Sequence, residues 1–122
     1  MQTVTSGPRG FAWLIACNIF VDTYSCNKVI MTETAFHMIE GAPQPVAPFS
    51  HAVETEGWVF LTGQMPTWPD DPQKPLPEGS EAQTRRVMDN LAIVLQGLGC
   101  DLRDAVQVRV YLTDFQRDYA LM

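Results

Sequence analysis

The stretch from Ser80 to Gly99, SEAQTRRVMDNLAIVLQGLG, limits the fold more than any other part of the chain. Val87, Leu91, Val94, Leu95 and Leu98 recur three and four residues apart, which gathers them on one face of an α-helix, while Arg85, Asp89 and Gln96 point outward. Ser80 with Gln83 makes an S-x-x-Q capping box at the start, and Gly99 supplies the stop. A helix with one apolar face needs a second layer to bury it.

The flanking sequence offers that layer as strands. Ser50 to Thr55 and Trp58 to Thr62 are short, β-branched and aromatic-rich runs separated by Glu56-Gly57, the pattern of a hairpin closed by a two-residue turn. The x-Gly pair leaves the turn type open, and Val53, Val59 and Leu61 are expected to face the core. From Ala105 to Leu112 the chain alternates, with Val106, Val108, Val110 and Leu112 on one side and Gln107, Arg109 and Tyr111 on the other, as in a half-buried strand. Between hairpin and helix stand Pro66, Pro69, Pro72, Pro75 and Pro77, with Asp70-Asp71 and Gly79 among them. Proline neither donates to a ladder nor continues a helix, so this is a stiffened loop, and its length marks it as functional or mobile. Asp114 offers an N-cap to a second amphipathic helix over Phe115 to Met122. Three strands and one complete helix make an α+β arrangement with raw sheet edges.

The 122 residues fit one domain, and 46% apolar with 18% charged residues is the balance of a globular chain. The apolar run Phe11 to Val21 is shorter than the ~18 residues a membrane span requires, so no membrane partner is expected. Net charge is −6, with six Lys/Arg against eleven Asp/Glu over residues 41–122, and no basic stripe exists. Nucleic acid is bound by neutralising phosphates with clustered cations, so it is not an expected partner. Cys17, Cys26 and Cys100 form no C-x-x-C pair, which fits a reducing, cytoplasmic compartment. His37 and His51 sit in no H-x-x-x-H or carboxylate cluster, so no metal site is expected, and His51 reads as a surface strand residue.

Residues 1–41 read as an N-terminal extension, poorly ordered or a mis-called start, ahead of a domain over 42–122. Met1 to Ile30 has neither helical nor strand periodicity. Arg9 followed by Phe11 to Val21 loosely matches a secretory signal, and Leu14-Ile15-Ala16-Cys17 a lipoprotein cleavage box. The preferred reading is that translation begins at Met31.

Thr62-Gly63-Gln64 sits where the second hairpin strand ends. Gly63 either just terminates that strand or lets a ligand approach the main chain, with the Thr62 hydroxyl and the Gln64 amide beside it. Ala47-Pro48-Phe49, Thr62-Gly63-Gln64-Met65-Pro66, Glu81-Ala82-Gln83-Thr84, Asp89-Asn90-Leu91 and Asp104 to Asp114, in unbroken order over residues 42–122, resemble the RidA/YjgF family of reactive-intermediate deaminases.

The resemblance implies a chorismate-mutase-like mixed sheet with two helices on one face, assembled as a barrel-like homotrimer with ligand clefts between subunits. It implies hydrolysis of 2-aminoacrylate and related enamine/imine substrates to 2-keto acids and ammonia, with no cofactor. Some members have been called translation inhibitors or ribonucleases, which the acidic balance here does not favour. Carried over residue by residue, the substrate-binding positions are Phe49, Thr62, Gly63 and Gln64. Phe49 stands where the family usually has tyrosine, and Thr62 where serine is common.

In the family an arginine that clamps the substrate carboxylate and a glutamate that orients water lie on final strands this sequence does not reach. The catalytic residues therefore stay unassigned, and Arg109 is expected to be solvated or at a subunit contact. The expectation is a truncated RidA-type chain with little or no deaminase activity; the alternative is a non-catalytic relative that binds a small carboxylate or amine.

Overall fold

The computed structural model describes residues 18–22 and 32–122. Cys17, Cys26, Met31 and residues 11–17 of the signal-like run lie outside the described residues.

Strand β3 (Ala52–Thr55) returns as β4 (Trp58–Leu61) through Glu56-Gly57. Both turn residues have positive φ, 48° and 81°, which makes a type I′ turn whose twist matches that of the strands. The register pairs Val53 with Phe60 and Glu54 with Val59. Directly opposed residues share a face, so Ala52, Glu54, Val59 and Leu61 point one way and Val53, Trp58 and Phe60 the other. The expected inward Val53 is corrected on this ground: with a two-residue turn its partner is Phe60, on the opposite face from Val59 and Leu61.

Helix α1 (Ser80–Gly97) covers the first face with Val87, Leu91, Val94 and Leu95, all buried against Ala52, Val59 and Leu61. Gly99, at φ 77°, donates to Gln96 O, and the next residue, Cys100, donates to Leu95 O. This is the paired closure of a Schellman motif, with Cys100 buried beneath it. At the other end the capping box does not form. Gly79 occupies the cap position, Ser80 is already helical, and its hydroxyl bonds Asp118 instead.

Among the described residues, two strands stand before residue 42. β2 (Ala35–His37) pairs with β3, and β1 (Asn18–Asp22) pairs with β4 on one side and β5 (Ala105–Arg109) on the other, giving the order β2-β3-β4-β1-β5. Ile19 and Val21 are fully buried under α1, so a segment without legible periodicity supplies a central strand. Among the described residues all four pairings are antiparallel, which corrects the expected mixed sheet. β4 and β5 do run parallel, as a helical crossover demands, but β1 lies between them and opposes both.

β5 departs from expectation too. A bulge between Phe20 and Val21 pairs Val21 with Ala105 and Ile19 with Val108, leaving Val106 as the extra residue. Ala105 and Leu112 pack on the core, whereas Val106, Val108 and Val110 are 59%, 47% and 36% exposed. A helix about 10 Å across covers roughly two strands spaced ~4.8 Å apart, and α1 lies over the β4 side of the sheet. α2 (Phe115–Asp118), capped by the Asp114 carboxylate accepting from Arg117 N, is a single turn continued by a 3-10 turn.

Candidate functional site

The open end of the β3-β4 hairpin is where the sequence-derived site residues meet. The ladder continues one step past β4, with Thr62 N–H donating to His51 O at 3.0 Å, so the residues entering β3 lie beside those leaving β4. Thr62 Oγ1 donates to Ser50 O at 2.7 Å. With its proton committed there, the Thr62 hydroxyl can act toward a ligand only as an acceptor. Gln64 is buried and its Nε2 donates to Thr62 O at 3.1 Å. Gly63 is not among the glycines with positive φ, so the turn itself does not demand glycine there.

These residues surround a cavity of about 190 Å³, walled by Phe49, Ser50, His51, Thr62, Gly63 and Gln64, by Met65 and Thr67 of the proline loop, and by Pro43 to Val46. All four residues anticipated as substrate-binding therefore line one space. Its walls are largely apolar, and none of the lining residues is Lys or Arg. Arg109 stands exposed on β5 and is not part of it.

His51 is the lining residue whose role the sequence did not disclose, and its reading as a surface residue is corrected: it is buried. Ile39 N–H donates to Nδ1 at 2.8 Å, which places the ring proton on Nε2, and Nε2 donates to Pro43 O at 2.9 Å. Both ring nitrogens are spent on the main chain, so His51 ties down Ile39 and Pro43, the latter a wall residue of the cavity, rather than offering a base to it. Gly97 of α1 allows the same segment to dock, since a Cβ there would lie 2.4 Å from Ile39 Cγ2. A histidine just ahead of a strand carries no periodic signal that would have revealed this.

Glu54 was equally hidden. It projects from β3 into the helix-covered face, buried, with His37 Nε2 2.9 Å from its Oε2. The cavity does not reach this pair.

A larger open groove of about 510 Å³ runs between α1 and the C-terminal turn, past Glu81, Arg85 and Leu121. Its Arg85 is exposed and already bonded to Glu81 at 2.9 Å. The smaller cavity is the better candidate, because buried polar groups converge on it and the groove offers only solvated ones. Among the described residues no group of three or more His, Cys, Asp and Glu could hold a metal ion, and no helix is long and apolar enough to cross a membrane.

Residues 39–122, which carry the hairpin, the cavity, α1 and β5, match the family model described as Endoribonuclease L-PSP. A RutC family protein of Pyrococcus abyssi is 37% identical over 84 residues, which is 68% of this chain and 64% of that protein. The chain belongs to the RidA/YjgF family. Similar RutC family proteins occur in Pyrococcus horikoshii, 36% identical over 68% of this chain and 64% of the relative, and in Synechocystis, 38% identical over 65% and 60%. The chain thus spans less than two thirds of the length of these relatives. The match to the RidA/YjgF family begins at residue 39, so β1 and β2 lie ahead of it.

Proposed function

We propose that the protein is an enamine/imine deaminase of the RidA type, with the cavity at the T-G-Q strand end holding the substrate. The observation that carries this reading is the convergence of Phe49, Thr62, Gly63 and Gln64 on one small, largely apolar space. An imine carbon is already electrophilic, so hydrolysis needs only a held substrate, one placed water and an acceptor for its proton. Water adds across C=N, the nitrogen takes the proton, and the carbinolamine collapses to a 2-keto acid and ammonia. The Thr62 hydroxyl, an acceptor here, suits the water, and the apolar walls suit the substrate side chain. No cofactor is required by this chemistry.

The substrate carboxylate needs a cation, for which a bidentate arginine is the natural partner. The described lining has none. This favours a second reading, a non-catalytic relative that binds a small carboxylate or amine without turning it over. The fold is proposed to be chorismate-mutase-like and to assemble as a cytoplasmic homotrimer. An aromatic row on the helix-free face supports assembly, as Phe36, Val53, Phe60 and Phe20 follow one another across four strands. RNA cleavage is not favoured, since a net charge of −6 without clustered cations is poorly suited to phosphates.

The test is to supply 2-iminopropionate and 2-iminobutyrate, generated in situ, to the purified chain and to follow ammonia and 2-keto acid release, with 2-oxobutyrate binding measured by NMR. The expected result is binding at the Gly63 and Gln64 amides with slow release above the uncatalysed rate, slow because no guanidinium lines the cavity. Binding with no acceleration selects the second reading. No binding at millimolar concentration overturns both.

A further inference from the structure

Helix α1 carries a second, polar stripe beside its apolar face. Gln83, Arg86 and Asn90 stand three and four residues apart and all meet the proline loop. Gln83 Nε2 donates to Pro77 O at 2.9 Å. Arg86 lies 5.3 Å from the Trp68 ring, whose Nε1 donates to Pro75 O at 2.8 Å. Asn90, with 0% exposure, uses its Nδ2 for two bonds, to Met65 O at 2.9 Å and Thr67 O at 2.8 Å. Met65 and Thr67 are the loop residues that wall the cavity.

We propose that Asn90 is a positioning residue for the cavity, holding the Met65 and Thr67 carbonyls so that these residues stand as its wall. Two facts carry this. First, of the two ends of the Asn side chain only the NH₂ group can donate to both carbonyls, so the amide orientation is fixed, and a flipped amide would set oxygen against both. Second, this orientation leaves Asn90 Oδ1 buried and without a hydrogen-bond partner among the described residues. Asn90 thus answers two loop carbonyls while its own oxygen goes unanswered, and such breaches of local rules cluster at functional sites. The proposal rests on the cavity being the ligand site.

The experiment compares wild type, Asn90→Asp and Leu98→Ala, using 2-oxobutyrate as the probe and reading backbone and side-chain amide resonances together with thermal melts. Asn90→Asp keeps the shape but replaces the donors with oxygens facing two carbonyls. Its dissociation constant for the probe is expected to rise tenfold or more, with altered Met65 and Thr67 resonances. Leu98→Ala opens the core away from the cavity, and at a comparable melting temperature its affinity should stay within twofold of wild type. A folded Asn90→Asp that binds within twofold of wild type overturns the proposal. If that variant does not fold, the wild-type titration decides. The Asn90 side-chain NH₂ resonances should move with the Gly63 and Thr67 amides at one saturation point, and lining amides that move while Asn90 stays still overturn the proposal alone. If no lining amide moves, the ligand-site reading fails and this inference fails with it.

Discussion

Asp118 ties the start of α1 to the C-terminal turn. It is buried, with Arg117 Nε and Nη2 each 2.7 Å from its two oxygens. The Arg117 guanidinium holds its carboxyl below the usual carboxylate range, burial opposes this, and the Ser80 hydroxyl adds to the lowering. A folded pKa below the unfolded value, near ~3.9 for Asp, gives stability that is present above that value and is lost as pH falls through the folded pKa. Asp118→Asn should therefore melt at lower temperature near pH 7 and lose less on acidification. Melts between pH 7 and pH 2 with the same pH slope for both proteins would count against this. His51 gives a second residue-scale prediction. His51→Phe strands the Ile39 N–H and the Pro43 carbonyl, each costing about 1–3 kcal/mol, so urea unfolding should lose about 2 kcal/mol or more. Loss under 0.5 kcal/mol, on the order of a surface substitution, would mean these bonds are unimportant. Neither role was legible in the sequence. Side-chain periodicity reports which face a residue takes, whereas the worth of a buried polar group depends on main-chain atoms brought up by distant segments, here Ile39 and Pro43.

At the scale of elements, the hairpin and α1 were legible because their signals are local. Glu56-Gly57 bounded by β-branched runs, and leucines and valines three and four apart, determine their own conformations. The turn makes a direct test, as Glu56 is the one described non-glycine residue with positive φ, 48°. Asn tolerates that region far better, so Glu56→Asn should stabilise the chain by on the order of 0.5 kcal/mol. Unfolding midpoints that fall would show that Glu56 makes a compensating contact. β1 was missed for the opposite reason: it is covered by α1 on one side and bears Phe20 against Phe60 on the other, so both faces of Ile19-Phe20-Val21 are apolar and no alternation survives. β5 alternates well, yet alternation cannot say whether anything lies over its valines. The candidate site was half legible. Thr62, Gly63 and Gln64 form a recognisable strand ending, while Pro43 to Val46, Ser50 and His51, which help complete the cavity, come from upstream of the hairpin, a pairing only the fold creates.

For the whole molecule, the decisive feature is the sheet face that α1 leaves bare. Phe36 is 73% exposed there, and the Phe36-Val53-Phe60-Phe20 row is flanked by Trp58, with Phe20 and Phe60 in edge contact at 5.1 Å. A row of aromatics in water on one side of a single-layered sheet forgoes much of the burial that stabilises a small domain. Pairing this face with other copies would recover it, and in a closed ring each copy buries the same patch. Phe60 lies mid-row, so a Lys there puts a charge at the centre of the contact without touching the core face. Phe60→Lys is expected to sediment as a monomer at micromolar concentration while retaining its helical and strand signal. Its melting temperature should become independent of protein concentration, whereas that of the wild type should rise with it, because assembly stabilises only the folded form. A wild type that sediments as a monomer, with a melt indifferent to concentration, would leave the aromatic face without a second copy to cover it and remove the support for subunit clefts.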